Sequence, residues 1–370
     1  MGDQFLKAPW AARQPGRGLF TLIVTFLFSF IIASSFSIEV FTGFLGYYVM
    51  SCIGLFIAIG ALWGGGFISI EHVPQPFKGV VLLVFALSGG LLISYFLINF
   101  IGGGVLHPYL TIYTIVAVIT MFFLFLAFGF WPFNKLSLPA AGFLFIIFGY
   151  LIALCLTQLF NFNLLSYPAG VSPSPIAAVP FYQAGGPLFG LPAPSGPIPW
   201  EHAAAYAVCS VDFLWMFAAL GMWPFTKLKM KQPLFGVVVS ASCLILGYIL
   251  LAIGIHLLKI EPLTFMSYAV SFIFGVLLLL TLFQLWPGNT IKSAAGGFLN
   301  IVLSIVIAIV GNYGIRAFCL WKFGDAMVYP DDLFATNTMM LALLFPMWAA
   351  YGDLFQFWPL PPLAPPDGEP

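Results

Sequence analysis

Charge is what this chain has least of. Of 370 residues only 12 are basic and 12 acidic, 6% together, where soluble domains carry roughly a quarter. With 62% hydrophobic residues, too little polar surface exists to face water on all sides. A bilayer removes the difficulty, because there helices can be apolar all round. Formal net charge is zero. No basic run is present to neutralise phosphates, which excludes nucleic acid as a partner, and no acidic tail is present either.

Chemistry-bearing patterns are equally scarce. The five cysteines (Cys52, Cys155, Cys209, Cys243 and Cys319) have no paired spacing, so neither a disulfide framework nor a structural zinc motif can be read from them. Four fall in apolar stretches, where a thiol acts as a small apolar group. None of the four histidines sits deep in an apolar run, which argues against buried haem or histidine-ligated pigment. Dinucleotide fingerprint, phosphate loop and nucleophile elbow are all missing. The sequence therefore predicts no cofactor and no catalytic residue, and it speaks against an enzyme without settling the matter.

What is present is length and apolarity. A helix needs ~20 apolar residues to cross ~30 Å of hydrocarbon. Ten stretches qualify, at about 18–36, 43–63, 79–101, 108–131, 140–160, 203–223, 234–256, 263–286, 296–316 and 334–358. The fold expected is all-α and polytopic. Around those stretches lie an N-terminal segment (1–17), an insertion (161–202) that separates helices 1–5 (18–160) from helices 6–10 (203–358), and a tail (359–370).

Orientation follows from the basic residues. With the N-terminus inside, cytoplasmic segments hold Lys7, Arg13, Arg17, Lys78, Lys135, Lys227, Lys229, Lys231 and Lys292, and external ones only Lys259, Arg316 and Lys322. The positive-inside rule then puts both termini in the cytoplasm, and a bacterial or archaeal cytoplasmic membrane is the expected location. Basic residues ahead of an apolar run also resemble a signal peptide, with Ala33-Ser34-Ser35 as a cleavage site. Retention is preferred, because the first span completes a repeat.

That repeat is marked by tryptophan. Trp131-Pro132, Trp223-Pro224, Trp286-Pro287 and Trp358-Pro359 each close an even-numbered stretch, with a fainter first copy at Trp63-Gly64-Gly65-Gly66. Tryptophan favours the headgroup level, and proline or glycine stops a helix just beyond it. Successive tryptophans lie 68, 92, 63 and 72 residues apart, and the 161–202 insertion explains the long interval. The chain reads as five similarly oriented helix pairs. Same-direction pairs lower the odds of a carrier built on inverted repeats.

The insertion holds nine prolines between Pro168 and Pro199, no Lys or Arg, and the aromatics Phe181, Tyr182, Phe189 and Trp200. It cannot form a regular helix, and its aromatics suggest a lid rather than a solvated linker. The proline-rich tail should be extended.

Ionisable groups in lipid are costly and so are candidates for function. Asp212 lies mid-span and Asp353 near the end of the tenth span. Glu201 stands eleven positions before Asp212, on nearly the same helix face, with Tyr206 and Cys209 adjoining. Either these form a cation or proton path, or Asp212 fixes packing by bonding a neighbouring helix. Glu39, His107, Glu201 with His202, Glu261, and Asp331 with Asp332 recur at the outer ends of even helices. Helix capping explains them best, with metal binding by His107, His202 and His256 a weak alternative. Pro346 interrupts the tenth span and marks it as specialised.

Three function classes remain. The one favoured is a non-catalytic membrane subunit that assembles with, or scaffolds, other membrane or peripheral proteins. The second is a channel or transporter for a small solute or cation that uses Asp212. The third is a quinone-binding or enzymatic subunit.

Overall fold

The structure is a computed structural model that describes residues 9–63, 70, 72–163, 182, 186, 188–291 and 294–361. Gly64, Gly65 and Gly66, Lys7, Lys292, Phe181, the prolines from Pro168 to Pro180, Pro187 and the tail from residue 362 lie outside the described residues. Ten helices are long and apolar enough to cross a membrane: α1 (Gly16–Ser34), α2 (Val40–Leu62), α3 (Phe77–Phe100), α4 (Pro108–Ala127), α5 (Leu138–Thr157), α6 (Trp200–Ala219), α7 (Leu234–Leu257), α8 (Pro262–Thr281), α9 (Ala294–Ala326) and α10 (Asp331–Leu354). The chain is an all-α, multi-pass membrane protein.

Two classes of helix emerge. Buried residues make up 61–72% of the most apolar stretch in α2, α4, α6, α8 and α10, but only 22–39% in the others. The even helices touch one another in sequence, α2 with α4, α4 with α6, α6 with α8 and α8 with α10, and α10 returns to α2. They form a closed inner ring. The odd helices lie outside, each against neighbouring ring members: α3 on α2 and α10, α5 on α4 and α2, α7 on α6 and α4, and α9 on α8, α10 and α6. α1 packs on α10, and Gln14 just ahead of it reaches Leu282 beyond α8.

A narrow buried stripe in which small residues predominate seats the outer helices. Counting from Gly18, Gly79, Gly142, Gly236 and Gly297, the residues three, seven and eleven positions on are buried in all five outer helices. In α1 these are Thr21, Thr25 and Ser29, and in α9 they are Asn300, Ser304 and Ala308. Small side chains let backbones approach closely where lipid supplies no hydrophobic drive. A Cβ on Gly90 would lie 2.2 Å from Cys52 Sγ, and one on Gly247 would lie 2.8 Å from the Ser210 backbone.

Glutamine locks three of these contacts. Gln14, Gln75 and Gln232 each precede a proline and stand four residues ahead of the stripe glycine. Their Nε2 groups donate to the carbonyls of Leu282 (3.0 Å), Leu354 (2.9 Å) and Ala127 (2.8 Å), at the ends of α8, α10 and α4. Their Oε1 atoms accept from the amides of Gly18, Gly79 and Gly236. One side chain thus satisfies an orphan carbonyl of one helix and an orphan amide of another.

Several boundaries differ from the sequence expectation. Four inner helices end four or five residues before their tryptophan, because two consecutive residues adopt left-handed backbone, Gly129 with Phe130, Gly221 with Met222, Gln284 with Leu285, and Gln356 with Phe357. Such conformations end an α-helix. α9 runs on to Ala326, so Arg316, Cys319 and Lys322 are helical rather than loop residues. Glu201 and His202 open α6 instead of preceding it. Trp63 is the counterpart of Phe128, not of Trp131. Its indole faces Gly142 as the Phe128, Phe283 and Phe355 rings face Gly236, Gly18 and Gly79. Pro346 does not make α10 singular, since widened turns also occur in α2, α4 and α7.

Replacing Gln232 with Leu leaves the Ala127 carbonyl and the Gly236 amide unpaired. Unfolding in mild detergent should show a loss of about 1–3 kcal/mol, whereas Lys231→Ala, at an exposed neighbour, should stay within about 0.5 kcal/mol of wild type.

Candidate ligand cavity

The inner ring encloses space. A cavity of about 500 Å³ lies along its axis, walled by side chains of all five inner helices. Its lining is overwhelmingly apolar, with Ile53, Ile115, Val211, Val270, Ile273 and Leu341 contributing from the different helices. Glu39, His107 and Trp200, at the starts of α2, α4 and α6, form one end. At the other end Phe122 and Phe345 meet with ring centroids 6.2 Å apart, and Phe122 also packs edge-on against Trp215 at 5.0 Å. Below them Trp348 is fully buried against Phe274 and donates its indole N–H to Thr25 Oγ1 (3.1 Å).

An apolar chamber of this volume offers water few partners, and it falls within the range that holds small molecules. Two buried polar atoms of its wall have no partner, His107 Nε2 and Asn337 Nδ2. Asn337 accepts from Ser267 Oγ through Oδ1 (2.8 Å), while its buried Nδ2 has no partner. The wall therefore presents a hydrogen-bond donor to whatever occupies the space.

The rim by α4 is tied to the insertion. Tyr182 accepts from the Tyr109 amide (3.0 Å) and lies 2.8 Å from His107 Nδ1. With the amide proton on its oxygen, Tyr182 has its own O–H free to donate to Nδ1 of a neutral histidine, whose proton is then on Nε2. Burial pushes the His107 pKa below its ordinary value, opposed by the Gly102 carbonyl. Burial raises the pKa of Tyr182 as well. Phe162 stacks on Trp200 (5.8 Å, 4°) and meets Tyr109 and Tyr182 edge-on. The two ends of the insertion are clasped by a short parallel pairing of β1 (Phe160–Asn161) with β2 (Ile198–Pro199).

Of the ionisable residues singled out from the sequence, Glu39 and His107 line this cavity and the others lie elsewhere. Asp212 and Glu201 are 5% and 1% exposed, yet neither lines the cavity, where α6 contributes Trp200, Val208 and Val211. Asp212 Oδ1 has no partner. Tyr206 bonds the Leu244 carbonyl of α7 (3.1 Å), and Cys209 is fully buried. Asp353 is exposed at the far end, beside Gly60 of α2, where a Cβ would lie 2.8 Å from its Oδ2. Glu261 caps α8, accepting from the amides of Leu263 and Thr264. His202 lies near His256 and Glu261, and His107 is bound to Tyr182 instead. Among the described residues no three His, Cys, Asp or Glu side chains gather as a metal would need. Sequence reasoning overlooked Asn337, Ser267 and the three glutamines, although the spacing Gln-Pro-x-x-Gly could have revealed the last.

Because the folded protein holds His107 below 6.5, the unfolded chain binds a proton first as pH falls. Stability tied to neutral His107 should be complete above about pH 6.5 and drain away below it. Unfolding midpoints across that window should show the loss in wild type and not in His107→Gln. Tyr182→Phe, which strips Nδ1 and the Tyr109 amide of their shared partner, should cost about 1–3 kcal/mol at neutral pH.

Compared with known protein families, characterised proteins and solved structures, the chain matches none.

Proposed function

We propose that this chain is a non-catalytic membrane subunit whose inner helices hold one lipid-soluble molecule, with an apolar body and a hydrogen-bond-accepting head of quinone or ester type. The axial cavity carries this reading. It is large, apolar and closed by aromatic rings at one end, and the free Asn337 Nδ2 is a donor waiting for an acceptor. Its lining offers nothing to a charged solute beyond Glu39 and His107 at one rim, which sets permeation through Asp212 below ligand holding. Assembly with other membrane proteins is compatible with the same role, since a subunit of a larger complex can present a bound quinone or lipid to its neighbours.

Five related helix pairs, all entering from the same side, form the scaffold we propose. The recurring stripe, the glutamine braces and the left-handed residues before Trp-Pro support common ancestry of the pairs. The basic residues support a cytoplasmic position for the tryptophan ends and both termini, in a bacterial or archaeal membrane.

Gentle extraction followed by mass spectrometry of the organic phase should recover one lipid-soluble compound per chain. Ile273→Trp, which fills the cavity, should abolish its recovery, and Asn337→Leu should weaken retention about tenfold, the equivalent of one lost hydrogen bond. An empty wild-type protein, or ion flux that Asp212→Asn abolishes, would replace this reading with transport. For the topology, single cysteines at Lys135 and Lys229 should react with an impermeant reagent from the same face of the membrane. Reaction from opposite faces would sink the five-pair arrangement.

A further inference from the structure

A second cavity sits where the recurring brace is missing. Three outer helices place a glutamine four residues before the stripe glycine, and its amide group closes the end of a neighbouring inner helix. Ahead of Gly297 on α9 that position is Ser293. The carbonyl it would have met is that of Ala219, which stands four residues before Trp223, as Leu282, Leu354 and Ala127 stand four residues before their tryptophans. At this corner lies a cavity of about 300 Å³, bounded by Ala219, Leu220, Trp223, Leu285, Gly288 and Asn300, among others.

One buried acceptor in its wall is free. Asn300 is 2% exposed, lines the cavity, and has an Oδ1 atom with no partner. The ends of α6 and α8 both bring helix carbonyls to this corner, so the local field favours positive charge. Lys227, with its Nζ 5.8 Å from the ring of Trp223, stands beside it as a counterpart for an anion. The tryptophans that flank the corner place it at headgroup depth.

We propose that this corner is a lipid-headgroup site for a phosphoethanolamine, whose ammonium donates to Asn300 Oδ1 and the Ala219 carbonyl in place of the absent glutamine. The phosphate lies toward Lys227. The acyl chains run down the lipid-exposed side of α9, where Val302, Ile305 and Ile309 are exposed. A quaternary ammonium has no N–H and cannot make these bonds. The site is independent of the axial cavity, and its test does not depend on that ligand.

Native mass spectrometry of the full chain from nanodiscs of equimolar phosphatidylethanolamine, phosphatidylcholine and phosphatidylglycerol reads the preference directly. One phosphatidylethanolamine should stay bound at least about tenfold more often than phosphatidylcholine. Asn300→Leu should erase that preference. Ala294→Trp, which fills the cavity from an exposed wall position and leaves Asn300 intact, should erase it too, so that loss through misfolding at Asn300 is told apart. Equal retention of the three lipids by wild-type protein, or a preference that survives Ala294→Trp, overturns the proposal. Displacement of the lipid by soluble phosphoethanolamine at equal concentration also overturns it, because the site would then belong to a water-soluble amine.

Discussion

Everything in this fold depends on letting helix backbones touch where the solvent gives no push. Lipid is as apolar as leucine, so helices in it associate through close packing and through polar groups that must find partners inside the protein. The outer helices meet both demands with one device. A stripe made mostly of Gly, Ser, Thr, Ala and Cys brings the backbone down onto inner helices, and at three corners a glutamine at its head closes the carbonyls that the inner helix leaves open. An outer helix so seated bridges its predecessor in the ring and the one before that. Repeated around the molecule, the bridging closes the ring.

Ring size then decides whether there is a hole. Helices packed side by side lie about 8–10 Å apart, each with a radius of roughly 5 Å including side chains. Four in a square put their axes about 6–7 Å from the centre, and the side chains fill what is left. Five in a ring put them about 8 Å away, which leaves an axial gap of roughly 3 Å radius. A five-membered ring in lipid therefore opens a central space unless large side chains are aimed into it. This chain aims them at one level only, where Phe122, Phe345, Trp215 and Trp348 close the bore. Above that level Ile, Val, Thr and Leu line the wall and leave it open.

Membership in the membrane class and the number of spans were legible in the amino acids, because a 20-residue apolar run has few other uses. The sorting into inner and outer helices was not, since both kinds are apolar throughout. What separates them is which residues are small, at intervals of three and four, and that signal is drowned when hydropathy is averaged. The Trp-Pro pairs caught the eye, yet the left-handed residues before them set the helix ends, and nothing in Gln-Leu or Gln-Phe declares that conformation. Trp63 misled for a related reason. It resembles the tryptophan of Trp-Pro but occupies the place of Phe128 against the stripe glycine. Charge drew attention to Asp212, while the cavity, built of aliphatic residues contributed by five distant segments, left no mark that a single sequence could show.

Asp212 illustrates how near a wall a group can stand without belonging to it. Val208 and Val211 face the cavity from α6, so their mean direction marks its axis. At 100° per residue, Asp212 lies about 70° from that direction and Glu201 about 50°. Both carboxyl groups therefore lie on a flank of α6, off the cavity axis. A carboxyl group buried there without a cationic neighbour is least costly when neutral, and a neutral carboxylic acid carries an O–H that can bond a carbonyl of the adjacent helix. Ser210, two positions earlier, spends its hydroxyl within the helix, on the Tyr206 carbonyl (2.8 Å), where Gly247 of α7 comes in. Asp212 Oδ1 has no such partner, so what separates it from its neighbours on α6 is a buried carboxyl oxygen left unspent beside a wall it does not join.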